Sequence, residues 1–172
     1  MRLFVAIRFS TTWNLALLSA IETLQTKAPH AAFTRPENLH LTLAFIGNTE
    51  RIHDVRAALS AATAVCPGKF SLTLAGTGRF GDVLWAGVSP SASLSALAEN
   101  ITLELRRRGF SIEKRHFQPH ITLARHVSAT DISFSLPHLQ MDVASFSLME
   151  STSVDGHLHY KELYRFSLSD CL

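Results

Sequence analysis

The stretch "ENLHLTLAF", Glu37 to Phe45, returns eighty residues later in compressed form as "QPHITLAR", Gln118 to Arg125. In both places a histidine leads a Thr-Leu-Ala run. A strand sends successive side chains to opposite faces. Strict alternation therefore puts His40, Thr42 and Ala44 on one side and Leu41, Leu43 and Phe45 on the other. The second copy sorts alike, with His120, Thr122 and Ala124 opposed to Ile121 and Leu123. Each strand is expected to bury its apolar face and turn a small polar face, led by an imidazole, toward a groove.

Working outward, the two copies belong to a longer repetition. With an offset of 80, Arg35, His40, Thr42, Leu43 and Ala44 fall on Arg115, His120, Thr122, Leu123 and Ala124. With an offset of 81, "LFVAI" (Leu3 to Ile7) falls on "LWAGV" (Leu84 to Val88). After the first of these, Ser10, Thr11 and Thr12 offer helix caps, and Trp13, Leu17, Ala20, Ile21 and Leu24 follow at helical spacing until Pro29. After the second, Pro90 and Ser91 lead into a helix with Leu94, Leu97, Ala98, Ile101 and Leu105 inward and Gly109 past its end. The chain thus reads as a duplicated strand–helix–strand unit. The fold expected is α+β: a bilobal, pseudo-two-fold arrangement of duplicated β-α-β units with antiparallel sheets lining a central groove.

The remaining pattern fills in the elements. A strand is expected over residues 3–9, a helix over about 50–65 ended by "CPGK", a strand over 70–75, a turn over "GTGRFGD" (76–82), and strands over 142–152 and 159–168. Residues 1–172 are taken as a single domain of two lobes, since 172 residues suffice for one well-buried core.

Composition narrows the function classes. Hydrophobic residues make up 47% and charged residues 17%, a globular balance. A net charge of +2 is too small for bulk duplex binding through phosphate neutralisation. A local cluster, Arg106, Arg107, Arg108, Lys114 and Arg115, reads either as a solvated helix end or as a basic wall beside an anionic substrate. No apolar run approaches the roughly 20 residues of a membrane helix. The opening "MRLFVAIRF" is too short for a signal sequence's apolar region. Cys66 and Cys171 have no metal or redox spacing, so the reducing cytoplasm is the compartment expected, with no membrane attachment and a monomeric chain.

An imidazole and a hydroxyl two residues apart on a strand stand about 6.6 Å apart, a separation suited to different oxygens of one tetrahedral anion. If the lobes face each other, two histidines and two threonines surround a single centre. That set suits in-line displacement at phosphorus. One imidazole takes a proton from the attacking oxygen and the other gives one to the leaving oxygen, because histidine holds both protonation states near neutrality. The threonines bond the non-bridging oxygens, where charge accumulates. Nothing in the scheme calls for a metal or other cofactor. A lone histidine on a strand is usually structural, but packing has little reason to demand one at both equivalent positions. His116 with His120, and His157 with His159, lack a third ligand at zinc-like spacing, and His30, His53, His126 and His138 read as surface residues.

"ENLHLTLAFIG" and "FQPHITLAR" resemble the two His-x-Thr-x motifs of the 2H phosphoesterase superfamily, and more closely its bacterial and archaeal RNA 2′,3′-cyclic phosphodiesterases, historically called 2′-5′ RNA ligases. "RLFVAI", "GRFGDVLWAGV" and "ESTSVDGHLHYKELYRFSL" resemble family segments too, so the likeness covers nearly the whole chain. It implies hydrolysis of a 2′,3′-cyclic phosphate, on RNA ends or small nucleotides, to a 2′-phosphate without metal. It further implies His40 as proton donor to the leaving 3′-oxygen and His120 as the base that activates water; the residues alone leave that order open. Thr42 and Thr122 are the expected phosphate contacts. Arg125, which follows the second motif as in many members, joins them only if the strand ends or twists there. Arg35 and Arg115 either flank the groove or sit in solvated loops. Between Phe80 and Val83 the chain has only Gly81 and Asp82, where many members carry a longer, more basic turn. Phe9 and Trp85 are the aromatics that could stack a nucleobase, with a place in the core as the competing reading. Rival functions are 2′-5′ ligation of RNA ends such as tRNA halves, which is the same chemistry reversed, and a non-catalytic module that holds an RNA end.

Overall fold

The computed structural model describes residues 1–65 and 68–170; Cys66, Cys171 and part of "CPGK" fall outside them. The elements run β1 (Arg2–Ile7), α1 (Thr11–Lys27), β2 (Ala32–Phe33), a 3-10 turn (Pro36–Asn38), β3 (Leu41–Asn48), α2 (Ile52–Ala64), β4 (Phe70–Phe80), β5 (Val83–Val88), α3 (Ala92–Arg107), β6 (Ile121–Arg125), β7 (Gln140–Val143), β8 (Ser145–Val154) and β9 (His157–Ser167).

Helices α1 and α3 start where hydroxyl caps predict them. Ser10 Oγ accepts from the Trp13 amide and Ser91 Oγ from the Leu94 amide, satisfying donors that the first turn leaves free. Trp13, Leu17, Ala20, Ile21 and Leu24 are buried on α1, and Leu94, Leu97, Ala98, Ile101 and Leu105 on α3. Gly109 follows α3 at φ +81°, a backbone that a side chain would strain.

The strands form two antiparallel sheets, ordered β3-β1-β8-β9 and β2-β6-β5-β4-β7. The duplication is visible in the pairing: β1 lies beside its His-bearing partner β3 just as β5 lies beside β6. The helices bind the halves together, because α3, which follows β5, packs on β3, while α1, which follows β1, packs on β6. One apolar cluster consequently runs through both sheets, from Leu3, Val5 and Ile7 through Trp13 and Leu41 to Leu84, Ile101 and Leu123.

Two expectations need correcting. The predicted turn over 76–82 is mostly strand: β4 continues to Phe80, and only Gly81 and Asp82 make the turn. Gly78 permits this, since a Cβ there would lie 2.1 Å from the Trp85 indole across the ladder. Glycine marks a close approach here, where sequence pattern reads a turn. The single strand expected over 142–152 is two, β7 in one sheet and β8 in the other, with the chain switching sheets at Ala144.

Candidate active site

Both histidines stand at the threshold of their strands, and a local contact orients each. His40 Nδ1–H donates to the Asn38 carbonyl at 2.7 Å, and His120 Nδ1–H to the Gln118 carbonyl at 2.8 Å. A carbonyl only accepts, so the Nδ1 proton is fixed and Nε2 is left as the working nitrogen. The Thr42 hydroxyl lies 2.9 Å from His40 Nε2, the only proton-accepting position of that ring.

Aromatic side chains frame each imidazole in the same way. Tyr160 meets His40 edge-on at 5.2 Å, with Phe4 against both rings at 5.0 and 4.9 Å. Phe80 meets His120 edge-on at 5.1 Å, with Trp85 5.0 Å from Phe80. Phe4 and Trp85 are equivalent residues of the repeat, one under each histidine.

Strict alternation fails halfway along both motif strands, and at the same place. On β3, Thr42 pairs with Ala6 but Ala44 with Val5, leaving Leu43 as an extra residue. On β6, Thr122 pairs with Trp85 and Ala124 with Leu84, leaving Leu123 extra. Each is a β-bulge, which inverts the facing of everything after it. Leu43 and Ala44, and likewise Leu123 and Ala124, are all buried. Ala44 and Ala124, expected on the groove side, therefore belong to the core. Phe45, expected in the core, is 64% exposed and lies against Phe4. The same inversion turns Arg125, at the matching place on β6, to an exposed position whose charge reaches His40. The twist that Arg125 required is this bulge.

β3 and β6 touch, so the two motifs meet. Burial of the imidazole pushes His40 below the ordinary histidine value; the Asn38 carbonyl opposes this, and positive charge on His120, Arg8 and Arg125 adds to it. His40, Thr42, His120 and Thr122 are all half-buried on these touching strands, and the charges of His120, Arg8 and Arg125 reach His40. Near neutrality an imidazole can take or give a proton, a hydroxyl can donate to an anion's oxygen, and the Arg125 guanidinium can pair with its charge.

Most other predicted residues lie apart from this centre or in the core. Phe9 packs on the core with Trp13, whereas Trp85 is half-buried against Gly78 and Phe80, its ring 6.3 Å from that of His120. Arg115 is 82% exposed and pairs with Glu113; Arg106 donates to the Ile112 and Glu113 carbonyls, and Arg107 pairs with Glu104. The basic cluster is therefore a solvated helix end. Arg35 is exposed at the start of the 3-10 turn. His30, His53, His116, His126, His138, His157 and His159 are all exposed. Among the described residues no group of three or more His, Cys, Asp or Glu side chains could hold a metal.

Sequence reasoning missed Asn38, Arg8, Phe80 and Tyr160. Asn38 is buried, donating to the Leu158 carbonyl and accepting from the Tyr160 amide, so it anchors the turn that holds His40 to β9. A signal existed: Gln118 occupies the matching position before His120, so an amide precedes both histidines by two residues. Arg8, Phe80 and Tyr160 carry no such signal, because pairing between distant strands sets their places.

The family model of the 2′-5′ RNA ligase superfamily matches residues 13–155. The chain belongs to that superfamily. RNA 2′,3′-cyclic phosphodiesterase of Thermotoga maritima is 32% identical over 179 residues, covering 95% of this chain and 94% of that protein. The Geobacillus stearothermophilus protein of the same name is 32% identical over 129 residues, 71% of this chain but only 41% of its own length. The crystal structure of Escherichia coli LigT complexed with 3′-AMP superposes with a TM-score of 0.83 at 29% identity, covering 98% of both chains. Among the described residues no helix is long and apolar enough to cross a membrane.

Proposed function

We propose that the protein hydrolyses 2′,3′-cyclic phosphates at RNA ends or on small nucleotides to 2′-phosphates, by acid–base catalysis between two histidines and without a metal. The observation that carries this reading is the pair of imidazoles, each with Nδ1 tied to a backbone carbonyl and Nε2 left to exchange a proton, brought together by strands β3 and β6. Relatives named RNA 2′,3′-cyclic phosphodiesterase over most of the chain support the substrate class.

In this mechanism the cyclic phosphate lies between His40 and His120. His120 Nε2 takes a proton from water as the water attacks phosphorus, and His40 Nε2 gives one to the leaving 3′-oxygen. Thr42, Thr122 and Arg125 bond the non-bridging oxygens, whose charge grows in the transition state. Each proton transfer supplies about 10²–10⁴ in rate. The enzyme acts as a single chain in the cytoplasm, one domain of two lobes.

The test is incubation of the protein and a chelator with the four nucleoside 2′,3′-cyclic phosphates. Conversion to the 2′-phosphate is expected, and its loss by at least about 100-fold in folded His40→Ala and His120→Ala variants. A 3′-phosphate product, chelator-sensitive turnover, or full activity in either variant overturns the reading. Binding without conversion identifies an RNA-end binding module.

A further inference from the structure

The sheet register continues past His40 into a second site. Ala6 pairs with Thr42 on one side and with Ser147 on the other, so the three form one row across β3, β1 and β8. At the usual strand spacing Thr42 and Ser147 are about 10 Å apart. The ladder ends with Ile7 paired to Leu41, and Arg8 and His40 follow just beyond it, near enough for the Arg8 charge to reach the imidazole. Here lies a cavity of about 290 Å³, walled by Arg8, Ser147, Glu162, Arg165, Asp142 and Ser145.

The charges in this cavity are unequally engaged. Glu162 accepts from Ser147 Oγ at 2.6 Å and from Arg165 at 3.0 Å. Asp142 accepts from Ser71 at 2.7 Å. Arg8 has one long contact, 3.4 Å to the Glu37 carbonyl, and among the described residues no carboxylate pairs with it. Glu162 feels the Arg8 charge but spends its oxygens on Ser147 and Arg165. A guanidinium with no carboxylate in ion-pair contact beside a cavity can take an added anion, since its planar fork matches phosphate oxygens. In the repeat Arg8 falls on Ser89, so this cation has no counterpart beside His120.

We infer that Arg8 and the cavity behind it form a subsite for the 5′-phosphate of the nucleotide whose cyclic phosphate sits between the histidines. This rests on the proposed function, with the leaving 3′-oxygen and its ribose on the His40 side. A nucleotide carries its next phosphate one ribose away in the 5′ direction, which is the step from His40 to Arg8 and into the cavity. The site therefore favours the end of an RNA chain over a free cyclic nucleoside.

The experiment compares adenosine 2′,3′-cyclic phosphate with the same compound carrying a 5′-phosphate. Wild-type protein is expected to show a kcat/KM about tenfold higher for the 5′-phosphorylated substrate, the size of one charge-assisted contact. Arg8→Gln, shown folded by circular dichroism, is expected to bring the ratio near one, because only the 5′-phosphorylated substrate loses the added contact. Arg115→Gln, which removes an exposed cation elsewhere, should keep the wild-type ratio. A ratio of one in the wild type, or an equal loss on both substrates in Arg8→Gln, overturns the inference; the latter outcome puts Arg8 on the reacting phosphate. If neither substrate turns over, the proposed function has failed, and titration with adenosine 5′-phosphate against adenosine still decides the subsite. Tenfold tighter binding of the phosphate, lost in Arg8→Gln, supports it, and equal binding overturns it.

Discussion

His40 sits where its proton is hardest to keep. Desolvation comes first, and the charges of His120, Arg8 and Arg125 reinforce it, so its pKa lies below the ordinary histidine value and burial favours the neutral ring in the free protein. A proton donor must be charged before it acts. The phosphate anion supplies the correction, since negative charge beside His40 favours the imidazolium. The pKa of His40 is therefore higher in the complex than in the free protein, and binding takes up a proton between those two values. By linkage, affinity rises as pH falls through that window and levels off below it. The measurement uses a nucleoside 2′,3′-cyclic phosphate, a diester that does not itself titrate there, with a His120→Ala variant that cannot turn it over. Binding that tightens as the pH is lowered through and below the ordinary histidine range, with proton uptake seen as buffer-dependent calorimetric heat, is expected. Flat affinity across that range removes His40 from the donor role.

At the scale of elements, the paired bulges at Leu43 and Leu123 decide which residues the motif strands expose. Each lets a Leu-Ala pair sink into the core together and sends the following residue, Phe45 or Arg125, to the surface. An alternating pattern cannot announce a bulge, because a bulge is the local failure of alternation. The β4–β5 hairpin makes a second test. Gly78 lies under Trp85, which packs with Phe80, whose ring in turn meets His120 edge-on. Gly78→Ala puts a methyl into the space of the indole and must displace it. Overpacking of this kind costs about 1–3 kcal/mol. The denaturation midpoint is expected to fall by a corresponding amount, and kcat to fall with it as Phe80 and His120 shift. An unchanged midpoint shows that the indole moves freely and does not brace the hairpin.

The whole molecule is two similar halves that cannot be separated cleanly. Each repeat lends its helix to the sheet of the other, α1 to β6 and α3 to β3, and the buried cluster runs through both. Calorimetry is therefore expected to give one transition whose measured enthalpy equals the van't Hoff enthalpy. Two resolved transitions show that the lobes fold independently. The exchange of helices also explains how the motif strands meet at the centre: packing each helix on the opposite sheet draws β3 and β6 toward the shared axis.

Much of this was legible in the chain itself. Helix faces, hydroxyl caps, the duplication and the two leading histidines follow from local chemistry, because cap, periodicity and repetition are written in neighbouring residues. That the two His-bearing strands meet was legible too, since a repeat implies an axis. What the sequence could not carry was facing and neighbourhood. Trp85 over Gly78, Tyr160 and Phe4 around His40, Arg8 beside His40, and Phe45 turned outward all depend on register between strands distant in the chain. Local composition determined which residues could do chemistry. Only tertiary structure decided which of them stand together, because a one-residue slip or bulge reverses every later side chain while leaving the hydrophobic pattern almost unchanged.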